Sequence, residues 1–277
     1  MRGPSINLAF VILALAGCSG LSPFASSRRA RDVAALPTTY ELSAGQLVFR
    51  SNFVVPDGHR LVRELTEERD DVCQTLGLPC SNEPITVFLF RDAKTYSECL
   101  AQNFPTVPTR RAFFLESDTQ LAVYAHWSDR VAEDLRHEVA HGYLHAVAPG
   151  LPLWLDEGLA EYFEVSRTQA GLNRPHLDLL TDLSQHNGWR PNLARLEHLN
   201  DIAQMDQQSY AEAWAWVYFM LEGGPERRQV LTDYLTELRS KRGPVEPISR
   251  LLKKLNAEPE RALMEFLAQT NQPSAAN

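Results

Sequence analysis

The chain has 277 residues, of which 44% are apolar, enough to build one large domain or two small ones around a substantial core. Its formal net charge is −8, and the only basic cluster is Arg28, Arg29 and Arg31 near the N-terminus. That balance argues against a nucleic-acid partner. The cluster reads as part of a soluble tether, with contact to an anionic membrane surface as the alternative.

In chain order, "MRGPSINLAFVILALAGCSG" comes first. One arginine precedes an apolar run from Leu8 to Ala16, followed by small residues. This is the layout of a secretory signal, too short for a stable transmembrane helix. Its end, Leu15-Ala16-Gly17-Cys18, resembles the bacterial lipobox, which implies removal of residues 1–17 and a lipid on Cys18 that tethers the chain to the membrane. Ser19 stands where an aspartate often accompanies inner-membrane retention. The resemblance therefore points to an outer-membrane lipoprotein of the cell envelope, facing the periplasm. Residues 18–38 read as a flexible tether. In such an oxidising compartment Cys73 and Cys80, which bracket "QTLGLP", are the favoured disulfide, with Cys99 left over. Cys80–Cys99 is the alternative pairing.

The stretch "GQLVFRSNFVV" then reads as a strand and "GHRLVRELTEERDDVCQTLGL" as an amphipathic helix. "ITVFLF" (85–90) is a continuous apolar run, the pattern of a strand buried on both faces. A short helix around Lys94–Gln102 follows. "RRAFFLE" and "TQLAVYA" read as two more strands, joined by a turn at Ser117-Asp118. A helix capped at Ser128-Asp129 runs to about Val147, and a second runs from about Leu153 to Val165. Beyond that the chain reads as helical, broken at "GLNRP", "NGWRPN" and "RGPVEP", and it ends in a polar tail over 269–277. Strands mixed with helices, then helices alone, give an α+β fold class. We place the sheet-bearing part at 39–165 and a helical C-terminal part at 166–268.

The chemistry concentrates in "LRHEVAHGYLHAVAPGLPLWLDEGLAEYFE" (135–164). His137 and His141 are four residues apart, so on a helix both imidazoles can reach one metal ion. Glu138, between them, can approach a water without binding the metal itself. A catalytic zinc needs a third protein ligand and an open fourth position. Glu157 lies on the next helix after a short connection, where it can face the pair. His145 continues the four-residue ladder, but by then the helix has turned about 80° off the ligand face, so we give it a surface or supporting role. His126, His176, His186 and His198 carry no spacing signal and read as structural or exposed. No CxxC pair is present to suggest thiol ligation.

From about Val48 to Ala268 the chain resembles the gluzincin metallopeptidases, above all their short peptidase-MA-like bacterial members. The likeness rests on "HEVAH", "PLWLDEGLAEYFE", "RPNLARLEHL" and "SYAEAWAWVYFML". It implies a zincin-like fold: a small mixed N-terminal sheet, the HExxH helix, and an all-helical C-terminal part. It also implies one Zn²⁺ held by His137, His141 and Glu157, with Glu138 as the general base. Asp156 and Glu161 would orient the ligand histidines, Glu161 being also the fallback third ligand. Tyr210 would donate to the oxyanion, with Tyr218 as second choice. The implied substrate is a peptide or protein, its backbone laid along an edge strand, for which "TQLAVYA" is the candidate. No Gly-x-Met-Glu-Asn signature for a free substrate amine is present, which favours an endopeptidase. An inactive envelope-binding or scaffold lipoprotein and a zinc hydrolase of peptidoglycan cross-links are the competing readings.

Overall fold

All six residues of β3 (Ile85–Phe90) are buried, because this strand lies at the centre of the sheet with a layer on each face. A computed structural model describes residues 35–105, 110–241 and 243–272. The signal sequence, Cys18, most of the tether and the end of the polar tail lie outside the described residues.

Five strands pair in the order β1-β2-β3-β5-β4, where β1 is Tyr40–Ala44, β2 Leu47–Ser51, β4 Ala112–Ser117 and β5 Gln120–His126. The inner pairs β2–β3 and β3–β5 are parallel, and the outer pairs β1–β2 and β4–β5 are antiparallel. This mixed sheet, followed by helices alone, is the expected α+β class. The strand expected from Gly45 to Val55 turned out to be the second arm of a hairpin. Its partner β1 is mostly exposed, so it lacked the apolar pattern that marks a strand.

Period-two alternation divides the sheet's side chains between two cores. Ile85, Val87 and Leu89 face the core shared with α1 (Arg60–Leu76) and α3 (Val131–His145). Phe88 and Phe90 face a smaller core with Tyr96, Cys99 and Leu100 of α2 (Ala93–Asn103). Helix α1 ends at Gly77, whose φ of 64° provides a left-handed cap. Cys73, in the last turn of α1, is joined as a disulfide to Cys80 beyond the cap, with Cα atoms 5.6 Å apart, and Cys99 is buried and free.

Helix α3 lies directly on the sheet. A Cβ added at Gly142 would stand 3.0 Å from the Ile85 side chain, so the glycine sets how closely helix and strand approach. The helix starts after Arg130, which makes no side-chain cap bond. Ser128, two residues before that N-cap, accepts from the Arg130 amide at 3.2 Å.

The C-terminal half is built around α7 (Gln207–Glu222), which is buried almost all round. It packs on α4 (Leu153–Phe163), α5 (Arg174–His186) and α6 (Leu193–Leu196), and on α8 (Pro225–Ser240) and α10 (Pro259–Thr270). Helix α9 (Ile248–Leu255) packs on α8. A Cβ at Gly158 of α4 would lie 2.7 Å from the Ala213 carbonyl oxygen, so the two backbones touch there. The "RPNLARLEHL" segment is tied to α7 through Glu212, which is 1% exposed. That carboxylate accepts from the Asn192 amide (2.5 Å), Arg195 Nη2 (2.9 Å) and Trp189 Nε1 (3.4 Å). Among the described residues, no helix is long and apolar enough to cross a membrane.

Candidate metal centre

Helix α3 presents its sheet-facing residues, Leu135 and Val139, to the core and turns His137 and His141 toward α4. Their Nε2 atoms are 3.3 Å apart. The connection after α3 reverses at Gly150 (φ 82°), and α4 begins after Pro152. This brings Glu157 Oε2 to 3.5 Å from His137 Nε2 and 3.6 Å from His141 Nε2. Three donors on a tetrahedral zinc, each about 2.0–2.1 Å from the ion, stand about 3.3–3.4 Å apart. The donor triangle therefore fits such an ion, and two imidazoles with one carboxylate leave a fourth position open.

The other nitrogen of each imidazole is already bonded, which fixes the ring and leaves Nε2 free to bind a metal. His141 Nδ1 donates to Asp156 Oδ1 at 2.9 Å, and His137 Nδ1 to Glu164 Oε2 at 3.2 Å. Asp156 lies behind His141. Its second oxygen accepts from His145 Nε2 at 2.9 Å, and His145 Nδ1 donates to Glu116 Oε2 of β4 at 2.6 Å. His145 is thus one step removed from the metal triangle, supporting Asp156.

Glu161 clusters with His137 and Glu164 but bonds neither ligand imidazole. It accepts from His176 Nε2 (2.7 Å) and Asn173 Nδ2 (3.3 Å), and the carboxylate on His137 is Glu164. Residues 157, 161 and 164 share one face of a helix, and three further residues bring the side chain back level with His137. That i, i+4, i+7 spacing was visible in "EGLAEYFE", so the role of Glu164 could have been read from it. His176 and Asn173 gave no such signal. Asn173 caps α5 and also reaches Glu164 at 2.8 Å.

Charges pull the site's proton affinities apart. Burial alone would lower His141, but Asp156 and Glu157 outweigh it and hold the imidazole up to about 10. Burial would lower His145 too, but Asp156 and Glu116 raise it to about 9. Burial would raise Glu157, yet the two imidazoles hold it down at about 2. Asp156 is held far below the usual carboxylate range by His141 and His145 against the burial that raises it. Glu138 goes the other way: burial raises it, only partly offset by His137 and His141. Among the described residues Glu138 makes no hydrogen bond or ion pair. A half-buried, unpartnered carboxylate with raised proton affinity is suited to take up a proton.

Tyr210 opens α7 within electrostatic reach of Glu157, His137 and Glu161, and burial raises its phenol to about 12. Its hydroxyl has no hydrogen-bond partner among the described residues. Tyr218 is a core residue instead, stacked on Trp214 at 5.2 Å and tilted against Phe266 at 5.6 Å. The expected edge strand is also corrected. "TQLAVYA" is β5, enclosed between β3 and β4, and the edge beside α3 is β4. The chain turns back after β4 and inserts β5 inward, an order that strand patterns do not reveal.

A family model described as "Protein of unknown function (DUF1570)" matches residues 131–246, from α3 through α8. No curated protein matches the chain. Among solved structures, the M1 zinc metallopeptidase from Deinococcus radiodurans is similar at 18% identity with a TM-score of 0.47. The match covers 84% of this chain and 51% of that one. A point mutant of the same enzyme is similar at 17% identity and a TM-score of 0.44, over 88% of this chain and 54% of that one. The chain thus spans about half the length of these structures.

Proposed function

We propose that this protein is a zinc-dependent peptidase that cleaves peptide bonds with water, with His137, His141 and Glu157 holding the ion. The observation that carries the reading is the donor triangle of 3.3–3.6 Å, with the back nitrogen of each imidazole fixed by Asp156 or Glu164. When bound there, zinc supplies Lewis acidity, which acidifies a water and polarises a carbonyl.

The chain's own residues account for the proton traffic. Glu138 takes one proton from the attacking water and delivers it to the departing amine nitrogen as the C–N bond breaks. The hydroxyl of that water joins the carbonyl carbon, leaving a carboxylic acid and an amine. Tyr210, kept neutral by its raised proton affinity, is a hydrogen-bond donor for the carbonyl oxygen as that oxygen gains charge. Asp156 and Glu164 hold the two imidazoles in their ring orientation. The signal and Cys18 support attachment to the bacterial envelope by lipid.

The test is zinc content together with hydrolysis of casein-derived peptides by wild type, Glu138→Gln and Glu157→Ala. Glu138→Gln is expected to keep one zinc per chain and to lose about 100- to 10,000-fold in kcat. Glu157→Ala is expected to lose the metal as well. A wild-type protein that takes up no zinc, or full turnover by Glu138→Gln, would refute the reading.

A further inference from the structure

We propose that Arg110 is the specificity-determining residue of this site, and that it receives a carboxylate of the substrate beside Glu138 and Tyr210. The inference rests on the peptidase reading for its hydrolytic consequence and on placement for its substance.

The placement begins with β4, the edge strand. Alternate side chains of this strand look onto α3: Glu116 bonds His145 at 2.6 Å, and the Phe114 ring stacks on His141 with centroids 6.0 Å apart. Ala112, where the strand begins, is the next residue on that face, and Arg110 and Arg111 lead into it, Arg111 in a bend. Walking back along the strand therefore leads from His145, past His141, toward the N-terminal half of α3.

The backbone at that end is held firmly. Arg111 grips Asp134 with two nitrogens, at 2.7 and 3.0 Å, and its carbonyl meets His126 Nδ1 at 3.1 Å. Asp134 lies one helical turn before Glu138. Arg110 is thus carried to the side of α3 from which Glu138 projects, and its charge acts on both Glu138 and Tyr210.

What marks Arg110 out is that its charge is not used internally. Five carboxylates crowd the centre, yet Arg110 is exposed and forms no hydrogen bond or ion pair among the described residues. Its sequence neighbour Arg111 is committed to Asp134, and Arg136 of α3 to the Glu164 carbonyl. A guanidinium left open beside the base and the phenol offers a planar fork to an incoming carboxylate. It also disfavours an ammonium at the same position. The carboxylate could be the C-terminus of a peptide or an acidic side chain.

The experiment compares zinc-loaded full chains in detergent: wild type, Arg110→Gln and Arg110→Lys. The probes are one casein-derived peptide as free acid, as C-terminal amide, and as amide with an internal Gln changed to Glu. In wild type the carboxylate forms should be preferred. Arg110→Gln should cut the acid-to-amide ratio of kcat/KM by about 10- to 100-fold, the worth of a hydrogen bond to a charged group. Arg110→Lys should keep part of it. The terminal-acid and internal-Glu peptides show which carboxylate is read. Equilibrium binding of the same peptides to Glu138→Gln, with and without Arg110→Gln, decides the matter without turnover. A carboxylate preference lost with Arg110 supports the proposal even if no peptide is cleaved, an outcome that would count against the peptidase reading alone. Cleavage or binding indifferent to the carboxylate in wild type overturns the proposal and leaves the peptidase reading standing.

Discussion

Asp156 holds two imidazoles at once, at 2.9 Å each, and that double bond sets what a substitution there should do. Without its charge, His141 loses both its orientation and its strongest electrostatic partner. Asp156→Asn should weaken zinc binding about 10- to 100-fold, the usual cost of removing a carboxylate behind a metal-bound histidine. His145→Ala acts one step further out and should cost less. Competition with a fluorescent chelator measures both, and equal losses would contradict the chain of contacts drawn here. The same charges give the metal-free protein a defined pH response. His141 is raised from 6.5 to about 10, so its stabilising contribution is whole below 6.5 and is lost as pH climbs toward 10. Glu157 is lowered from 4.5 to about 2, so its contribution is whole above 4.5 and disappears as pH falls toward 2. Urea unfolding of the chelator-treated protein should therefore show greatest stability from these groups between pH 4.5 and 6.5. Zinc uptake must displace the imidazole protons, so zinc affinity should fall as pH drops. Titration calorimetry in buffers of different ionisation enthalpy would reveal the released protons, and uptake without release would contradict the assignment.

At the scale of elements, the close contact of α4 with α7 brings Glu157 and Tyr210 into one site. Gly158 makes that contact, with Ala213 O only 2.7 Å from where a Cβ would sit. A backbone atom cannot swing aside, so Gly158→Ala should lower stability by about 1–3 kcal/mol through overpacking, less up to about 1 kcal/mol regained from helix propensity. Gly142→Ala meets only the Ile85 side chain, at 3.0 Å, and should be milder. Equal unfolding midpoints for wild type and Gly158→Ala would remove the contact from the account. Both glycines stood in plain view inside the motif, but the sequence did not say which neighbour each one admits. Periodicity did reveal α1, β3, α3 and α4, because each buries a regular stripe or a continuous run. It missed β1, whose exposed residues carry no stripe, and it stopped at Glu161 where one more turn would have found Glu164. The order of β4 and β5 was hidden because both strands are apolar and pairing order depends on the whole sheet. His176 reached the site from a third helix, and nothing within "NRPHLDLL" marked it.

For the whole molecule, the donor triangle joins two bodies of structure. His137 and His141 belong to the helix that lies on the sheet, and Glu157 belongs to the helix packed on α7. One hydrophobic core runs through both, from Ile85 and Val123 of the sheet to Trp214 and Val217 of α7, so the fold does not depend on metal to exist. What a bound ion adds is a link between α3 and α4 and relief for carboxylates that otherwise face one another. By mass action, zinc at a hundred times its dissociation constant should add about 2.7 kcal/mol to unfolding, visible as a higher thermal midpoint that chelation removes and zinc restores. The control is Glu157→Ala, which keeps both helices but breaks the link. If the ion bridges α3 and α4, the midpoint of that variant should respond little to chelator or zinc. A shift as large as that of wild type would mean that the stabilising ion sits elsewhere, and the centre assembled here would then lack the metal its chemistry requires.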